Sequence, residues 1–177
     1  MATALLGAEL AGRGESGIEV RSAGLLGGGV APPEEAIEAM QDLGMDIAAH
    51  RSREVSSADL IEASLVLTMT GQQLVEVIWR EPDAWTRMFT LAEANRRASA
   101  AGPRGRVESV AAWAKRLGDG RSRTELLSLP PAEDIPDPVG GSRKEFEEVR
   151  DMLSRHVASL ANVLVPRLTG FEPVYQS

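Results

Sequence analysis

Two aspartates three positions apart, Asp134 and Asp137, lie in the stretch Asp134-Ile-Pro-Asp-Pro-Val-Gly-Gly141. Prolines on either side of Asp137 pin the backbone, so a stiff loop presents its carboxyl group. A carboxyl group held in that way can be presented to a site without the loop having to reorganise. By itself, Asp-Pro ahead of a helix reads as ordinary turn chemistry. Asp137 is the candidate catalytic residue, and Asp134 is the reserve. The remaining candidates carry less. His50, beside Arg51 and Arg53, reads as an exposed loop residue, and His156, beside Arg155, as a surface histidine. The chain has two histidines and no cysteine. A thiolate nucleophile, a disulfide and a thiolate zinc site are therefore excluded within these residues, and no histidine-rich metal site is expected. Gly24-Leu-Leu-Gly-Gly-Gly29 lacks both the Lys-Ser/Thr of a nucleotide loop and the G-x-G-x-x-G spacing, and reads as a flexible loop. No cofactor is expected.

The elements around these residues follow from periodicity. Leu5, Leu6 and Leu10 predict a first helix stopped by Gly12 and Gly14. Ile18–Ser22 alternates apolar and polar and predicts a half-buried strand. Ala36, Ile37, Met40 and Leu43 form one face of a helix that begins near Pro33 and stops at Gly44. Ser56 or Ser57 can cap a short helix running to Ala63. Ser64–Met69 is a nearly continuous apolar run, the pattern of a strand buried on both faces. Thr70 and Gln73 have capping-box spacing ahead of a helix over residues 72–80, which Pro82 ends. Arg87–Thr90 predicts a short strand, and Leu91–Ala98 a helix. Residues 99–130 are broken by Gly102, Pro103, Gly105, Gly118 and Gly120, with an amphipathic helix at 107–117, and read as an elaboration. Ser128–Pro136 reads as a loop. Ser142 and Glu145 form a second capping box, followed by a long helix whose stripe is Phe146, Val149, Leu153, Leu160 and Leu164, ending at Pro166. Residues 1–166 read as one domain and 167–177 as a tail. Strands that alternate with helices predict a parallel sheet covered on both faces, an α/β fold of three layers.

Bulk properties narrow the function classes. The 177 residues are enough for one domain with a real core. A net charge of −7 argues against binding a nucleic-acid backbone, which needs Lys and Arg to release counterions. Short basic clusters at Arg51–Arg53, Arg96–Arg97, Arg104–Arg106 and Arg121–Arg123 read as solvated loop charges. The N-terminus has no basic segment ahead of a long apolar run, and no stretch is long enough to span a bilayer. No nucleic-acid or membrane partner is expected, and a cytoplasmic location is.

Several segments together resemble one family. Met1-Ala-Thr-Ala-Leu-Leu6 resembles the segment that follows the phosphate loop of low-molecular-weight protein-tyrosine phosphatases. Ile18–Gly24 (IEVRSAG) resembles their second strand and its Ser-Ala-Gly end. Leu43-Gly-Met-Asp-Ile47 with His50-Arg-Ser-Arg53 resembles their Leu-Gly-Ile-Asp and His-Arg-Ser-Arg stretch. Ala58–Leu60 through Leu65–Met69 resembles the third strand, Phe89–Glu93 a further segment, and Asp134–Gly141 with Phe146 the general-acid loop and last helix. The segments occur in family order over nearly the whole chain.

The resemblance implies a flavodoxin-like sheet of order 2-1-3-4. It also implies hydrolysis of phosphotyrosine through a cysteinyl-phosphate, with Asp137 as general acid and a phosphotyrosine protein or small phosphate monoester as substrate. The family's Cys-x-x-x-x-x-Arg-Ser/Thr is not in these residues, and Met1 aligns just beyond it. The first strand, nucleophile and arginine are thus expected to be missing, and the chain to be inactive as given. One alternative is a non-catalytic phosphatase-like binding or regulatory module. Another, minor one is an arsenate reductase, which would need further cysteines.

Overall fold

The computed structural model describes residues 1–126 and 133–166. Its elements follow in the order α1 (Ala2–Ala11), α2 (Glu34–Gln41), α3 (Ser57–Glu62), β1 (Val66–Thr68), α4 (Gly71–Arg80), a 3-10 segment Pro82–Arg87, β2 (Met88–Thr90), α5 (Leu91–Ala101), α6 (Val110–Gly118), α7 (Arg123–Leu126) and α8 (Arg143–Leu164). Capping chemistry sets most of the helix starts. Ser56, Thr70, Thr90 and Ser109 each accept a hydrogen bond from the backbone N–H three residues on, removing one of the donors a helix start leaves unpaired. The Thr70–Gln73 pair departs from a full capping box. The Gln73 Oε1 accepts from Met69 N–H at 2.9 Å, stitching α4 back onto the end of β1.

β1 and β2 pair in parallel, Val66 opposite Met88, Leu67 opposite Phe89 and Thr68 opposite Thr90. Side chains alternate across a strand, so one face of this sheet carries Leu67 and Phe89 and the other Val66 and Met88. Leu67 and Phe89 join the main core with Leu5, Leu10, Trp113, Leu153 and Leu160. Val66 and Met88 pack with Leu60, Leu74 and Val77. The nearly continuous apolar run at 64–69 is thus explained: α1, α5 and α8 cover one face, α3 and α4 the other. The architecture is the expected three-layer α/β arrangement.

One expected strand does not form. Residues 18–23 take no regular secondary structure and, among the described residues, make no ladder; Gly24, just beyond them, forms an isolated parallel bridge to Glu54. The alternation of Ile18, Glu19, Val20 and Arg21 is that of a strand. A strand also needs a neighbour to accept and donate its hydrogen bonds, and the space beside this run is a cleft.

Solvated basic clusters are the second expectation to need correction. Arg53, Arg51 and Arg106 are exposed, whereas Arg121 is buried. Its Nη1 donates to the carbonyls of Trp85 (2.9 Å) and Met88 (2.7 Å), and its Nη2 to Glu93 Oε2 at 2.6 Å. The guanidinium lies 4.6 Å from the centroid of the Phe89 ring, a cation–π contact. Glu93 also accepts from Arg97 at 3.0 Å. Arg104 is pinned as well, donating to the carbonyls of Leu164 and Glu108. Gly118 lets the end of α6 lie on the Thr86 carbonyl, since a Cβ there would overlap that backbone oxygen.

His156 is half-buried rather than a surface residue. Its Nδ1 lies 3.3 Å from Asn95 Nδ2, which also donates to the His156 and Leu91 carbonyls. Burial, and then the charge of Arg155, holds its pKa below the usual 6.5. A base with a lowered folded pKa takes up its proton more readily when unfolded, so the folded state is fully favoured above pH 6.5 and loses stability as pH falls below it. Melting temperature is expected to drop on acidification through that window, and His156→Gln to flatten the drop. An unchanged slope in the variant would show that other groups set it.

Candidate active site

Asp134 and Asp137 have different jobs. Asp134 Oδ1 accepts from the Gly71 N–H, at the first residue of α4, at 2.8 Å. Next to it, the Ile135 N–H donates to the Met69 carbonyl at 2.9 Å, and the Ile135 side chain is buried in the main core. These contacts fasten the loop to the carboxyl end of β1. Asp137, two residues further on, is exposed, and its Oδ1 accepts only a local hydrogen bond from Val139 N–H at 3.0 Å. Pro136 and Pro138 bracket it. The result is a carboxyl group held out from an anchored loop, with Asp134 spent on the anchor.

The far side of the loop is equally fixed. Gly141 N–H donates to the Pro138 carbonyl at 2.8 Å. A Cβ at Gly141 would sit 2.9 Å from that carbonyl and 2.8 Å from Glu145 Oε2, so the turn needs glycine there. Glu145 closes a capping box, accepting from the Ser142 N–H at 2.7 Å and the Ser142 hydroxyl at 2.9 Å. Those bonds hold its carboxyl below the usual range.

Three helices begin at this end of the molecule. α4 starts at Gly71, which Asp134 holds. α8 starts two residues after Gly141. α1 runs in the same direction as α8: Met1 packs with Phe146 near the start of α8, and Arg13 donates to Asn162 Oδ1 (2.8 Å) and the Val165 carbonyl (3.3 Å) at its finish. Helix starts carry partial positive charge and unpaired N–H groups. The start of α1 has no side-chain cap. Helix starts and a projecting aspartate therefore gather at the carboxyl end of the strands, where open α/β sheets bind ligands.

Comparison with known proteins decides the family. The model of the low molecular weight phosphotyrosine protein phosphatase family matches residues 1–101. The chain belongs to this family. A probable low molecular weight protein-tyrosine-phosphatase, EpsP, of Ralstonia nicotianae is 37% identical over 79 residues, 44% of this chain and 54% of that one. The chain thus spans about half the length of the curated relatives it matches. A low molecular weight protein tyrosine phosphatase from T. tengcongensis superposes with a TM-score of 0.67 at 22% identity, covering 92% of this chain and 88% of the other. The YwlE arginine phosphatase from Geobacillus stearothermophilus superposes with a TM-score of 0.63 at 25% identity, over 91% and 80%.

Within the phosphatase family's flavodoxin-like fold, the stretch Ser52–Glu54 lies beside Gly24–Val30: Gly24 and Gly29 N–H donate to the carbonyls of Arg53 and Ser52. Arg53 pairs with Asp59 at 2.7 Å, and with the Ser56 bonds it holds that carboxyl well below the usual range. His50 is exposed and apart from the acid loop's hydrogen bonds. The anchoring role of Asp134 was not readable from the sequence, since its partner is 63 positions away. Part of the predicted loop at 128–136, and the whole tail at 167–177, lie outside the described residues. Among the described residues, no helix is long and apolar enough to cross a membrane.

Proposed function

We propose that the chain is the body of a phosphotyrosine phosphatase in which Asp137 is the general acid, and that the attacking thiolate and phosphate-binding arginine come from outside these 177 residues. The observation that carries this reading is the anchored loop: Asp134 and Ile135 fasten it to Gly71 and Met69 at the carboxyl end of β1, and Asp137 projects from it exposed, in a chain of this family. In the completed site a cysteine thiolate attacks phosphorus. The S–P bond forms, the P–O bond to the tyrosine breaks, and the Asp137 proton goes to the departing oxygen. Water then attacks the cysteinyl-phosphate, Asp137 takes its proton, and the thiolate leaves with release of inorganic phosphate. Helix-start N–H groups and the supplied arginine hold the phosphoryl oxygens.

The purified 177-residue chain is expected to release no p-nitrophenol from p-nitrophenyl phosphate above a matched blank. The same chain preceded by a strand ending in Cys-x-x-x-x-x-Arg-Ser is expected to release it. Activity in the first protein, or none in the correctly folded second, overturns the reading. The alternative, a phosphatase-like module that binds without catalysis, predicts an inactive second protein. Phosphoarginine belongs beside phosphotyrosine in the assay, because the G. stearothermophilus neighbour is an arginine phosphatase.

A further inference from the structure

The turn between β1 and α4 carries the loop from which Asp137 projects. Two of its backbone groups face that loop. The Met69 carbonyl accepts from Ile135 N–H at 2.9 Å, and the Gly71 N–H donates to Asp134 Oδ1 at 2.8 Å. The turn's own side chains brace it from within. Thr68 Oγ1 donates to the Thr70 carbonyl at 3.1 Å, and Thr70 Oγ1 accepts from Gln73 N–H at 3.1 Å. Gln73 Oε1 accepts from Met69 N–H at 2.9 Å. A full capping box would spend that side chain on the N–H of Thr70, the N-cap. Instead it reaches one residue further back, to the residue that bears the loop. Met69 is thus gripped twice, its N–H by Gln73 and its carbonyl by Ile135.

We infer that Gln73 is a positioning residue for the acid loop: by tying the Met69 backbone to α4, it fixes the direction of the carbonyl on which Ile135 hangs. Without that tie, rotation at Met69 swings the carbonyl away from the loop, and the neighbouring bond from Gly71 to Asp134 must give with it. Pro136 passes the placement on, because its ring fixes the backbone between the anchored Ile135 and the exposed Asp137. Gln73 acts on Asp137 only through Met69 and Ile135. The anchoring follows from these bonds alone, whereas its effect on catalysis rests on Asp137 being the general acid.

The test follows amide exchange residue by residue in the 177-residue chain and in its Gln73→Leu and Gln73→Glu variants. Leu and Glu match Gln in helix propensity, so α4 is kept. Leucine offers no acceptor, whereas a carboxylate still accepts from Met69 N–H. In Gln73→Leu, exchange at Ile135 and Gly71 is expected to rise about fivefold relative to Val157 in α8, the effect of one lost hydrogen bond. Gln73→Glu is expected to restore the parent's exchange. In the chain completed by a Cys-x-x-x-x-x-Arg-Ser loop, Gln73→Leu is expected to slow hydrolysis of phenyl phosphate more than that of p-nitrophenyl phosphate, since the poorer leaving group depends more on the proton. The inference is overturned if Ile135 and Gly71 exchange no faster, if Val157 rises by the same factor, if Gln73→Glu restores nothing, or if both esters slow equally. Should Asp137→Asn leave the rates unchanged while Gln73→Leu still loosens Ile135, the anchor stands and the general-acid assignment falls. With an inactive completed chain, the exchange measurement decides alone.

Discussion

Asp137→Asn, placed in the chain completed by a Cys-x-x-x-x-x-Arg-Ser loop, is expected to lower phosphate-ester hydrolysis by about 10²–10⁴-fold, the usual contribution of a positioned proton donor. The amide keeps the shape of the carboxyl group and can still accept from Val139 N–H, so the loop is retained while the transferable proton is lost. Because the proton goes to the leaving oxygen, the loss is expected to be larger for phenyl phosphate than for p-nitrophenyl phosphate, whose leaving group departs well unaided. Asp134→Ala acts differently. It removes the acceptor on Gly71 N–H, at a cost of about 1 kcal/mol in stability, as for a lost helix cap, and loosens the loop without removing the acid. Equal rates for Asp137→Asn and its parent would take Asp137 out of the mechanism. A collapse of rate in Asp134→Asn alone would transfer the role to Asp134.

Glu93→Ala is expected to be the most destabilising single change outside the apolar core, costing about 3–5 kcal/mol, the range for removing one partner of a buried ion pair. The Arg121 and Glu93 side chains are 0% and 2% exposed. Without Glu93, the buried guanidinium keeps its two carbonyl acceptors and the Phe89 ring but loses the carboxylate that meets it at 2.6 Å. Arg121→Met, which leaves Glu93 still paired with Arg97, is expected to cost less. Chemical denaturation of the two variants checks both values. A loss of under 1 kcal/mol in Glu93→Ala would show that water reaches the guanidinium and that the pair does not hold residues 118–123 to β2 and α5.

Local chemistry wrote much of this protein into its sequence. Helix starts at Ser56, Thr70 and Ser142 were legible because a capping side chain acts on a backbone three residues away. The stripe Phe146, Val149, Leu153, Leu160 and Leu164 was legible because 3.6-residue periodicity places it on one face, and all five are buried. The apolar run at 64–69 announced a strand covered twice over. The loop at 134–141 was legible as a pair of candidates, Asp137 first and Asp134 in reserve.

Tertiary contacts decided the rest. Asp134 became the anchor because Gly71 lies at the start of a helix that the fold brings beside it. Arg121 looked like a loop charge because Trp85, Phe89 and Glu93, which enclose it, are distant in sequence. His156 is sheltered by Asn95 from another helix. Ile18–Ser22 has the alternation of a strand and forms none, because a ladder belongs to two backbones and periodicity describes only one. What a residue does to its own backbone is local and can be read along the chain; which groups meet it across the core depends on packing, and only the folded arrangement supplies that.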